Sequence, residues 1–262
     1  MLKTSEHRLK IKTRLKRRQK VLGGWNSLYH PSITEVFIKA GLGFIGLDLE
    51  HSTISLEQTQ NLIATCQGMG CVCLPRVASH NPEMIKRVLD SGADGVIVPM
   101  VNSPAEAEKI VGWVKYPPLG QRSFGVARAQ GYGLDYDAYV RDWNRSSILI
   151  VQIESEQGVK NIEKILSFKE IDGVMIGPYD LSGSLGIPGQ LDHPAVREAC
   201  EKVIAACRRK RVACGTHLVE AESEKVESAF SNGFSFVILS SDVFLLWKWA
   251  ERTRGVVKKY GR

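Results

Sequence analysis

Short apolar segments rich in β-branched residues recur along the whole chain, and stretches with helical spacing of apolar residues separate them. Short, continuous hydrophobic runs are typical of strands that are buried on both faces of a parallel sheet. The predicted strands are residues 21–25, 44–49, 71–75, 95–99, 148–153, 173–176, 212–215 and 235–239. The predicted helices are residues 32–40, 56–69, 82–89, 104–114, 158–168, 193–209, 221–231 and 243–260.

Eight alternating strand and helix units within 262 residues predict an α/β fold of the (β/α)₈ TIM-barrel type. A doubly wound open sheet is the alternative, and it would favour a G-x-G-x-x-G turn after the first strand. The residues there, Gly23-Gly24-Trp25-Asn26, do not supply that turn. Because no linker, low-complexity tract or short repeat divides the chain, we expect one barrel domain over residues 1–262.

Polar side chains accumulate where the predicted strands end, which is where barrel enzymes carry their chemistry. The residues at these ends are Asp48, Glu50, His51, Arg76, Gln152, Glu154, Tyr179, Asp180, His217 and Asp242. Glu154 and Asp180, from neighbouring strands, are predicted to converge at the barrel mouth. Two carboxylates with room left for water and substrate suit Mg²⁺ or Mn²⁺ better than zinc.

Each of these residues also has a structural explanation. A single glutamate at a strand end is most often a solvated loop residue, and His51 could be an ordinary loop histidine. Arg76 could serve only as an ion-pair partner for Asp48 or Glu50. A Schiff-base mechanism is disfavoured, because it needs a desolvated lysine in the mouth and no lysine lies within two residues of a predicted strand end.

The net charge of +7 arises at the start of the chain. Residues 1–20 hold nine Lys and Arg against one acid, Glu6, whereas the remaining residues are close to neutral. A basic end could bind nucleic acid or an acidic membrane surface. We instead expect a basic N-terminal helix within residues 1–20, with Ile11 and Leu15 packed on the barrel and the basic side chains in water.

The remaining composition favours a cytoplasmic protein. No apolar run approaches the roughly 18 residues that a membrane span needs, and no apolar region follows the basic start as it would in a secretory signal. The six cysteines form no C-x-x-C pair, and we expect them to be small buried thiols in a reducing compartment.

A series of motifs resembles one enzyme family. Its segments are Leu47-Asp48-Leu49-Glu50-His51, Leu74-Pro75-Arg76-Val77, Leu89-Asp90-Ser91-Gly92-Ala93, Val98-Pro99-Met100-Val101, residues 116–122, Gln152-Ile153-Glu154 and residues 176–182. Together they resemble the metal-dependent (class II) pyruvate aldolases of the HpcH/HpaI family, over about residues 9–250. The family includes 4-hydroxy-2-oxoheptanedioate, 2-dehydro-3-deoxyglucarate and 2-keto-3-deoxy-L-rhamnonate aldolases. The resemblance implies a barrel of the phosphoenolpyruvate/pyruvate-binding type.

The resemblance also implies a role for each matching residue. Glu154 and Asp180 match the two metal ligands, while Asp48 and Gln152 match residues that hydrogen-bond metal-bound water or substrate. Arg76 matches the arginine that contacts the pyruvate oxygens, and His51 matches an acid/base histidine. The backbone N–H groups of Tyr179 and Asp180 match those that receive the substrate carboxylate, and Arg122 is a further candidate for substrate binding.

Self-association is implied as well. Asp90 matches an aspartate that reaches the histidine of a neighbouring subunit, and family members are typically hexamers built as trimers of dimers. In that assembly the C-terminal helix, here residues 242–262, is exchanged between paired subunits. The implied partners are otherwise a small-molecule 2-oxo acid and an aldehyde, with neither nucleic acid nor membrane.

The implied activity is cleavage or formation of a 4-hydroxy-2-oxo acid through a metal-bound pyruvate enolate, with an aldehyde as co-product or co-substrate. The cation would be Mg²⁺ or Mn²⁺, with Co²⁺ as a further candidate, and no organic cofactor is implied. Alternatives on the same site are a citrate-synthase-like condensation and oxaloacetate decarboxylation; nucleic-acid or acidic-surface binding through the N-terminus is a third hypothesis.

Three departures from the family pattern concern the aldehyde side of the site. The segment 122–129 is shorter than the family's usual loop, Tyr179 replaces a common alanine, and His217 lies near an apolar position that shapes the aldehyde pocket. We therefore include His217 among the candidate substrate-binding residues and leave the aldehyde unidentified.

Overall fold

Eight parallel strands close into a barrel in strict chain order in the computed structural model, which describes residues 2–261 and the side chains of residues 5–261. The strands are β1 (Val21–Asn26), β2 (Phe44–Asp48), β3 (Val72–Arg76), β4 (Gly95–Val98), β5 (Ile148–Ile153), β6 (Gly173–Ile176), β7 (Ala213–Leu218) and β8 (Phe236–Leu239). All eight predicted strands are present, and the (β/α)₈ TIM-barrel prediction is confirmed.

Two strand boundaries differ from the prediction in a way that affects the mouth. β3 includes Arg76 and β7 continues to Leu218, because both strands pair with their neighbours to these points. Arg76 and His217 therefore lie on strands instead of on the loops after them. Their side chains are fixed by the alternation of the strand, which is a more rigid support than a loop.

The helices form the outer layer. Within residues 2–261 they are α1 (Leu2–Lys16), α2 (Pro31–Lys39), α3 (Leu56–Gly68), α4 (Pro82–Asp90), α5 (Pro104–Val114), α6 (Tyr136–Ser146), α7 (Glu156–Ile165), α8 (Pro178–Ser184), α9 (Pro194–Lys210), α10 (Ser223–Ser231) and α11 (Asp242–Tyr260). Serine, asparagine and histidine side chains cap the N-termini of α2–α5, α7, α9 and α11.

Two of these helices, α6 and α8, were not predicted. α6 has an apolar face formed by Tyr139, Val140 and Trp143, and Trp143 is fully buried. Most other residues of α6 are polar, so the sequence pattern did not predict this helix. α8 is a single short helix that begins directly after β6, so its sequence resembles a loop. A 3₁₀ segment, Arg128–Gly133, precedes α6.

The N-terminal helix closes one end of the barrel, as its apolar residues predicted. Ile11 and Leu15 are buried and belong to the same hydrophobic cluster as Val21, Phe44 and Phe236 from the strands inside the barrel. The helix ends at Lys16, so the last residues of the basic segment 1–20 lie beyond it. α1 therefore seals the amino end of the strands.

The expectation that the basic side chains of this helix stay in water is wrong for two of them. Arg8 and Lys12 are buried, with 4% and 5% of their surface exposed. Arg8 lies 3.6 Å from Asp94, and Lys12 Nζ lies 2.7 Å from Asp172. These aspartates precede β4 and β6, so tertiary ion pairs bury cations that the helix alone would leave in water.

A second buried lysine lies in the same region. Lys115 Nζ donates hydrogen bonds to the hydroxyl (2.7 Å) and the carbonyl (3.1 Å) of Ser147. Burial lowers its pKa to about 7, and the positive charge of Lys12 acts in the same direction. Burial raises the pKa of Asp94 to about 6, against the opposing charge of Arg8. The amino end of the barrel is thus a sealed network of ionisable groups.

The C-terminal helix α11 has little contact with the barrel. Asp242 is its one buried residue, and it accepts hydrogen bonds from Asn26 and from the backbone N–H groups of Ser27 and Leu28. The large apolar side chains exposed on α11 are Val243, Leu245, Leu246, Trp247, Trp249, Val256, Val257 and Tyr260. Within residues 2–261, no helix combines the length and the apolar character needed to cross a bilayer.

Candidate active site

Inward-facing side chains of the strands change character from one end of the barrel to the other. On β2, Phe44 is packed in the interior and Asp48 follows at the carboxyl end; on β3, Leu74 is followed by Arg76. The period-two alternation aims all of them at the barrel axis. The strands therefore bring apolar residues to the centre and charged residues to the mouth.

Asp48, Glu50 and Arg76 form an ion-pair cluster at the mouth. Arg76 Nη2 lies 2.8 Å from Asp48 Oδ1, and Arg76 Nη1 lies 3.1 Å from Glu50 Oε2. The same Asp48 oxygen accepts hydrogen bonds from the backbone N–H groups of Glu50 (3.2 Å) and His51 (3.1 Å). These contacts fix the turn after β2, and they show that Arg76 does have the ion-pair role considered as its structural explanation.

The two acids of this cluster differ in protonation tendency. Burial would raise the pKa of Asp48, but the charge and hydrogen bonds of Arg76 and the N–H of His51 bring it below its ordinary value. Burial raises the pKa of Glu50, and the neighbouring charges of Asp48 and Asp180 add to that rise against Arg76 and His51. Asp48 is thus the firmly ionised partner of Arg76.

Glu154 is held by donors from two sides. The backbone N–H of Met100 donates to Glu154 Oε1 at 2.7 Å, and the Gln152 amide donates to Oε2. Met100 has a φ of 53°, in the left-handed region that a non-glycine residue adopts at a cost of order 1–3 kcal/mol. This conformation accompanies the hydrogen bond that fixes the carboxylate.

Other acids lie close enough to Glu154 to affect its titration. Burial raises its pKa, and the negative charges of Asp180 and Glu50 act in the same direction. Gly177 makes this packing possible, since a Cβ there would lie 2.6 Å from Glu154 Oε2. The charge of Asp180 therefore acts on Glu154, and their joint role as metal ligands stays a prediction.

The side-chain oxygen atoms of Glu154, Asp180 and Gln152 fit a hard cation that keeps water or substrate in its coordination shell. Gln152 Oε1 is buried and has no hydrogen-bond partner within residues 2–261. In the same range, no three His, Cys, Asp or Glu side chains are grouped so that they alone could hold a metal ion. The protein therefore offers a partial set of oxygen ligands, which suits Mg²⁺ or Mn²⁺.

Tyr179 and Asp180 lie in the first turn of α8, directly after β6. Both side chains are exposed, and Tyr179 has 64% of its surface exposed. The first N–H groups of a helix have no intrahelical acceptor. The backbone N–H groups of Tyr179 and Asp180 therefore form no intrahelical hydrogen bonds.

His51 and Asp90 are not brought together within one chain. The His51 side chain is 69% exposed at the mouth, with Nε2 3.7 Å from Glu50. α4 runs back from the mouth, so Asp90 at its C-terminus lies towards the amino end of the barrel. There Asp90 Oδ1 accepts from Arg122 Nη2 at 2.7 Å.

Arg122 lies in an aromatic enclosure instead of among the mouth residues. Its guanidinium carbon is 4.7 Å from the Tyr116 ring centroid and 4.6 Å from that of Trp143, and Nη1 donates to the Tyr139 hydroxyl at 3.1 Å. None of these partners is a mouth residue, so the role of Arg122 in substrate binding stays a prediction.

Three residues of the mouth escaped the sequence analysis as site residues. Trp25, at the end of β1, lies with its ring centroid 5.0 Å from the Arg76 guanidinium carbon and 5.4 Å from the His217 ring. Strand alternation could have identified Trp25, because it faces inward. No feature of the sequence predicts the left-handed backbone conformations of Met100 and Ser240, whose φ angles are 53° and 58°.

Fold and site together define a class: a (β/α)₈ barrel enzyme with carboxylates and an arginine at the carboxyl end of its strands. The family model described as "HpcH/HpaI aldolase/citrate lyase" matches residues 22–248. The chain belongs to the HpcH/HpaI aldolase family, and it is accordingly an enzyme of the lyase class.

Individual relatives agree with this assignment. The chain is 31% identical over 252 residues to a 5-keto-4-deoxy-D-glucarate aldolase of Citrobacter koseri, covering 95% of this chain and 96% of the relative. The structure of an HpcH/HpaI aldolase from Desulfitobacterium hafniense is similar with a TM-score of 0.85 at 30% identity, covering 95% of this chain and 96% of that one. A citrate synthase of known structure is similar with a TM-score of 0.82 at 27% identity, covering 96% and 98%.

Proposed function

We propose that this enzyme is a divalent-cation-dependent aldolase that cleaves or forms a 4-hydroxy-2-oxo acid, with pyruvate and an aldehyde on the other side of the reaction. The observation that carries the proposal is the set of groups around Glu154 at the mouth. A buried carboxylate, a second acid in Asp180, an unpartnered Gln152 oxygen and the nearby Arg76 cluster suit a 2-oxo acid better than a neutral sugar.

Glu154 and Asp180 are the residues that we propose hold the cation, with Asp48 and Gln152 hydrogen-bonding its water or the substrate. A bound divalent cation polarises a carbonyl oxygen as a Lewis acid. Burial is the main cause of the raised pKa of Glu154, and the charges of Asp180 and Glu50 add to it; acids that repel one another in a partly buried site favour a nearby positive charge, which supports this assignment.

Arg76 is proposed to stabilise the enolate. When the C3–C4 bond of the substrate breaks, negative charge develops on the oxygen at C2. A guanidinium already held by Asp48 and Glu50 needs little reorganisation to meet that charge. Backbone N–H groups of Tyr179 and Asp180 are proposed to receive the substrate carboxylate.

His51 is proposed to carry the proton of the C4 hydroxyl, assisted by Asp90 of a neighbouring copy. An imidazole can both accept and donate a proton, which suits an acid/base group. Within one chain His51 lies at the mouth and Asp90 lies towards the amino end of the barrel, so a contact between these two side chains would require two copies.

A homohexamer, built as a trimer of dimers with α11 exchanged between paired copies, would cover the apolar surface of that helix. The eight large apolar side chains that α11 exposes would be unfavourable in water at about 25 cal/mol per Å² of apolar area. Burial against another copy is a physical reason for the exchange.

The experiment that tests the proposed function is a screen of aldehydes with pyruvate in the presence of Mg²⁺, Mn²⁺ or Co²⁺, with a chelator as the control. We expect 4-hydroxy-2-oxo acid formation with added cation and its loss in chelator. Full activity of the metal-stripped enzyme in chelator would contradict the role of the cation.

A citrate-synthase-like condensation is the second candidate, because a citrate synthase shares this fold at 27% identity. It would use the same enolate chemistry with a thioester partner. Thiol release from acetyl-CoA in the presence of oxaloacetate, without aldehyde-dependent pyruvate consumption, would favour it over the aldolase. Oxaloacetate decarboxylation is an expected side reaction of either activity.

A further inference from the structure

His217 occupies an inward-facing position at the mouth. On β7, Ala213 belongs to the cluster inside the barrel, and a Cβ on Gly215 would lie 2.1 Å from the Phe236 ring. Gly215 therefore faces the axis, and His217, two residues further on, faces it one layer nearer the mouth.

The imidazole of His217 lies among aromatic rings. Its centroid is 5.4 Å from that of Trp25 and 5.4 Å from that of Phe244, with interplanar angles of 45° in both cases. Trp25 also contacts Arg76, so this ring joins the proposed pyruvate side of the mouth to His217. His217 therefore lies near Arg76, with the Trp25 ring in contact with both side chains.

One hydrogen bond determines which nitrogen of His217 carries the proton. His217 Nε2 lies 2.9 Å from the carbonyl oxygen of Ser240, and a carbonyl can only accept. Nε2 therefore donates. Ser240 is itself tied to the end of β7, since its N–H donates to the Leu218 carbonyl at 2.7 Å.

Among the side chains described, residues 5–261, the one hydrogen bond of the His217 ring is that of Nε2, and Nδ1 takes part in none. Burial lowers the pKa of His217 to about 4, and the charge of Arg76 acts in the same direction against Ser240 and Asp48. The ring is therefore neutral near pH 7, and Nδ1 presents a lone pair that can accept a hydrogen bond.

We propose that His217 selects the aldehyde: Nδ1 accepts a hydrogen bond from a hydroxyl group of an uncharged hydroxyaldehyde and disfavours aldehydes that carry a carboxylate. This inference rests on the proposed aldolase function. A carboxylate oxygen beside Nδ1 would place two acceptors against each other with no proton between them. Within residues 5–261 the contacts of His217 are aromatic rings and one carbonyl, and Arg76, whose charge reaches the imidazole, is already paired with Asp48 and Glu50.

Matched aldehydes test the selectivity. Lactaldehyde and propanal differ by one hydroxyl group, and glycolaldehyde and glyoxylate differ by a hydroxymethyl group against a carboxylate. With pyruvate as the donor, we expect wild type to favour lactaldehyde over propanal in kcat/KM by ~10-fold, which corresponds to one hydrogen bond. We also expect glycolaldehyde to be favoured over glyoxylate.

Two substitutions of His217 separate hydrogen bonding from shape. His217→Leu removes the acceptor, and we expect the lactaldehyde-to-propanal ratio to fall to about 1. His217→Gln can donate through Nε2 to Ser240 and keep an acceptor oxygen, so it should recover part of the ratio. An equal ratio in wild type and the leucine variant, or a wild-type preference for glyoxylate, would overturn the proposal.

Two substrate-independent measurements distinguish its failure from failure of the aldolase function. Exchange of the C3 protons of pyruvate in D₂O, with Mn²⁺ or Mg²⁺ added, reports enolate formation without an aldehyde. Proton exchange combined with equal use of lactaldehyde and propanal would overturn the His217 proposal alone. Absence of exchange would overturn both the His217 proposal and the proposed aldolase function.

The protonation of His217 can be measured directly. The ¹⁵N spectrum of the wild-type imidazole, assigned by comparison with His217→Gln, should show Nε2 protonated and Nδ1 unprotonated at pH 7. The opposite tautomer or a charged ring would overturn the His217 proposal.

Discussion

The two ends of the barrel carry similar charged residues but differ in the balance between acids and cations. At the amino end, under α1, Lys12 is paired with Asp172 and both side chains are almost fully buried. At the carboxyl end, Arg76 is paired with Asp48 and Glu50, whereas Glu154 and exposed Asp180 form no ion pair within residues 5–261. One end is closed by a helix and the other is open.

The comparison shows that charged side chains of the same types can stabilise the fold at one end of the barrel and bind a ligand at the other. Buried ions must be paired, because an unpaired one costs several kcal/mol. At the amino end the two buried cations of α1, Arg8 and Lys12, each have an acid beside them, and these ion pairs hold α1 on the barrel. At the mouth, acids outnumber their cationic partners, which leaves capacity for a ligand.

Substitution of Glu154 should give the largest of the expected effects, a loss of activity that arises at the mouth of the barrel. Glu154→Gln removes a negative charge that we assign to cation binding, and we expect aldol activity to fall by ~10³-fold or more, since a bound cation contributes several kcal/mol. Steady-state assays with pyruvate and an aldehyde measure this loss. Glu156→Gln, two residues away on the exposed start of α7, is the matched control; equal activity of the two variants would contradict the assignment.

Substitution of Lys12 should act on stability at the other end. Lys12→Met leaves Asp172 buried without its partner, and we expect the free energy of unfolding to fall by ~3–5 kcal/mol. Urea denaturation measures the change, and Lys16→Met, on the exposed side of the same helix, is the control. Addition of Asp172→Asn should restore part of the loss. A Lys12 variant no less stable than the Lys16 variant would show that the pair does not hold the helix.

The smallest expected effect is the pH dependence of the contribution that Lys115 makes to the free energy of unfolding. The pKa of Lys115 in the folded protein, about 7, lies below its ordinary value of 10.5, so between these values the unfolded chain binds the extra proton. The free energy of unfolding should therefore rise with pH in this window, by up to ~1.4 kcal/mol per pH unit, and the contribution should be flat below it. We expect the stability difference between wild type and Lys115→Met to follow this slope between pH 7.5 and 9.5. The same comparison with Lys109→Met, an exposed residue of α5, should give a constant difference; a constant difference for Lys115 too would contradict the shifted pKa.

The sequence predicted much of the mouth because its residues follow a local rule. Inward positions on parallel strands recur every second residue, and the strands' carboxyl ends share one edge. Asp48, Arg76 and Glu154 could therefore be placed from strand pattern alone. Arg122 could not, because its pairing with Asp90 depends on how a loop packs against a helix 32 residues earlier.

The sequence by itself determined the eight strand and helix units, the family and the apolar face of α1, since each depends on periodicity or on contiguous motifs. Only the tertiary structure decided that Arg8 and Lys12 are buried, that Met100 and Ser240 adopt left-handed conformations, and that His217 donates through Nε2. These features depend on partners distant in the chain, whose distances and angles become fixed only when the barrel closes.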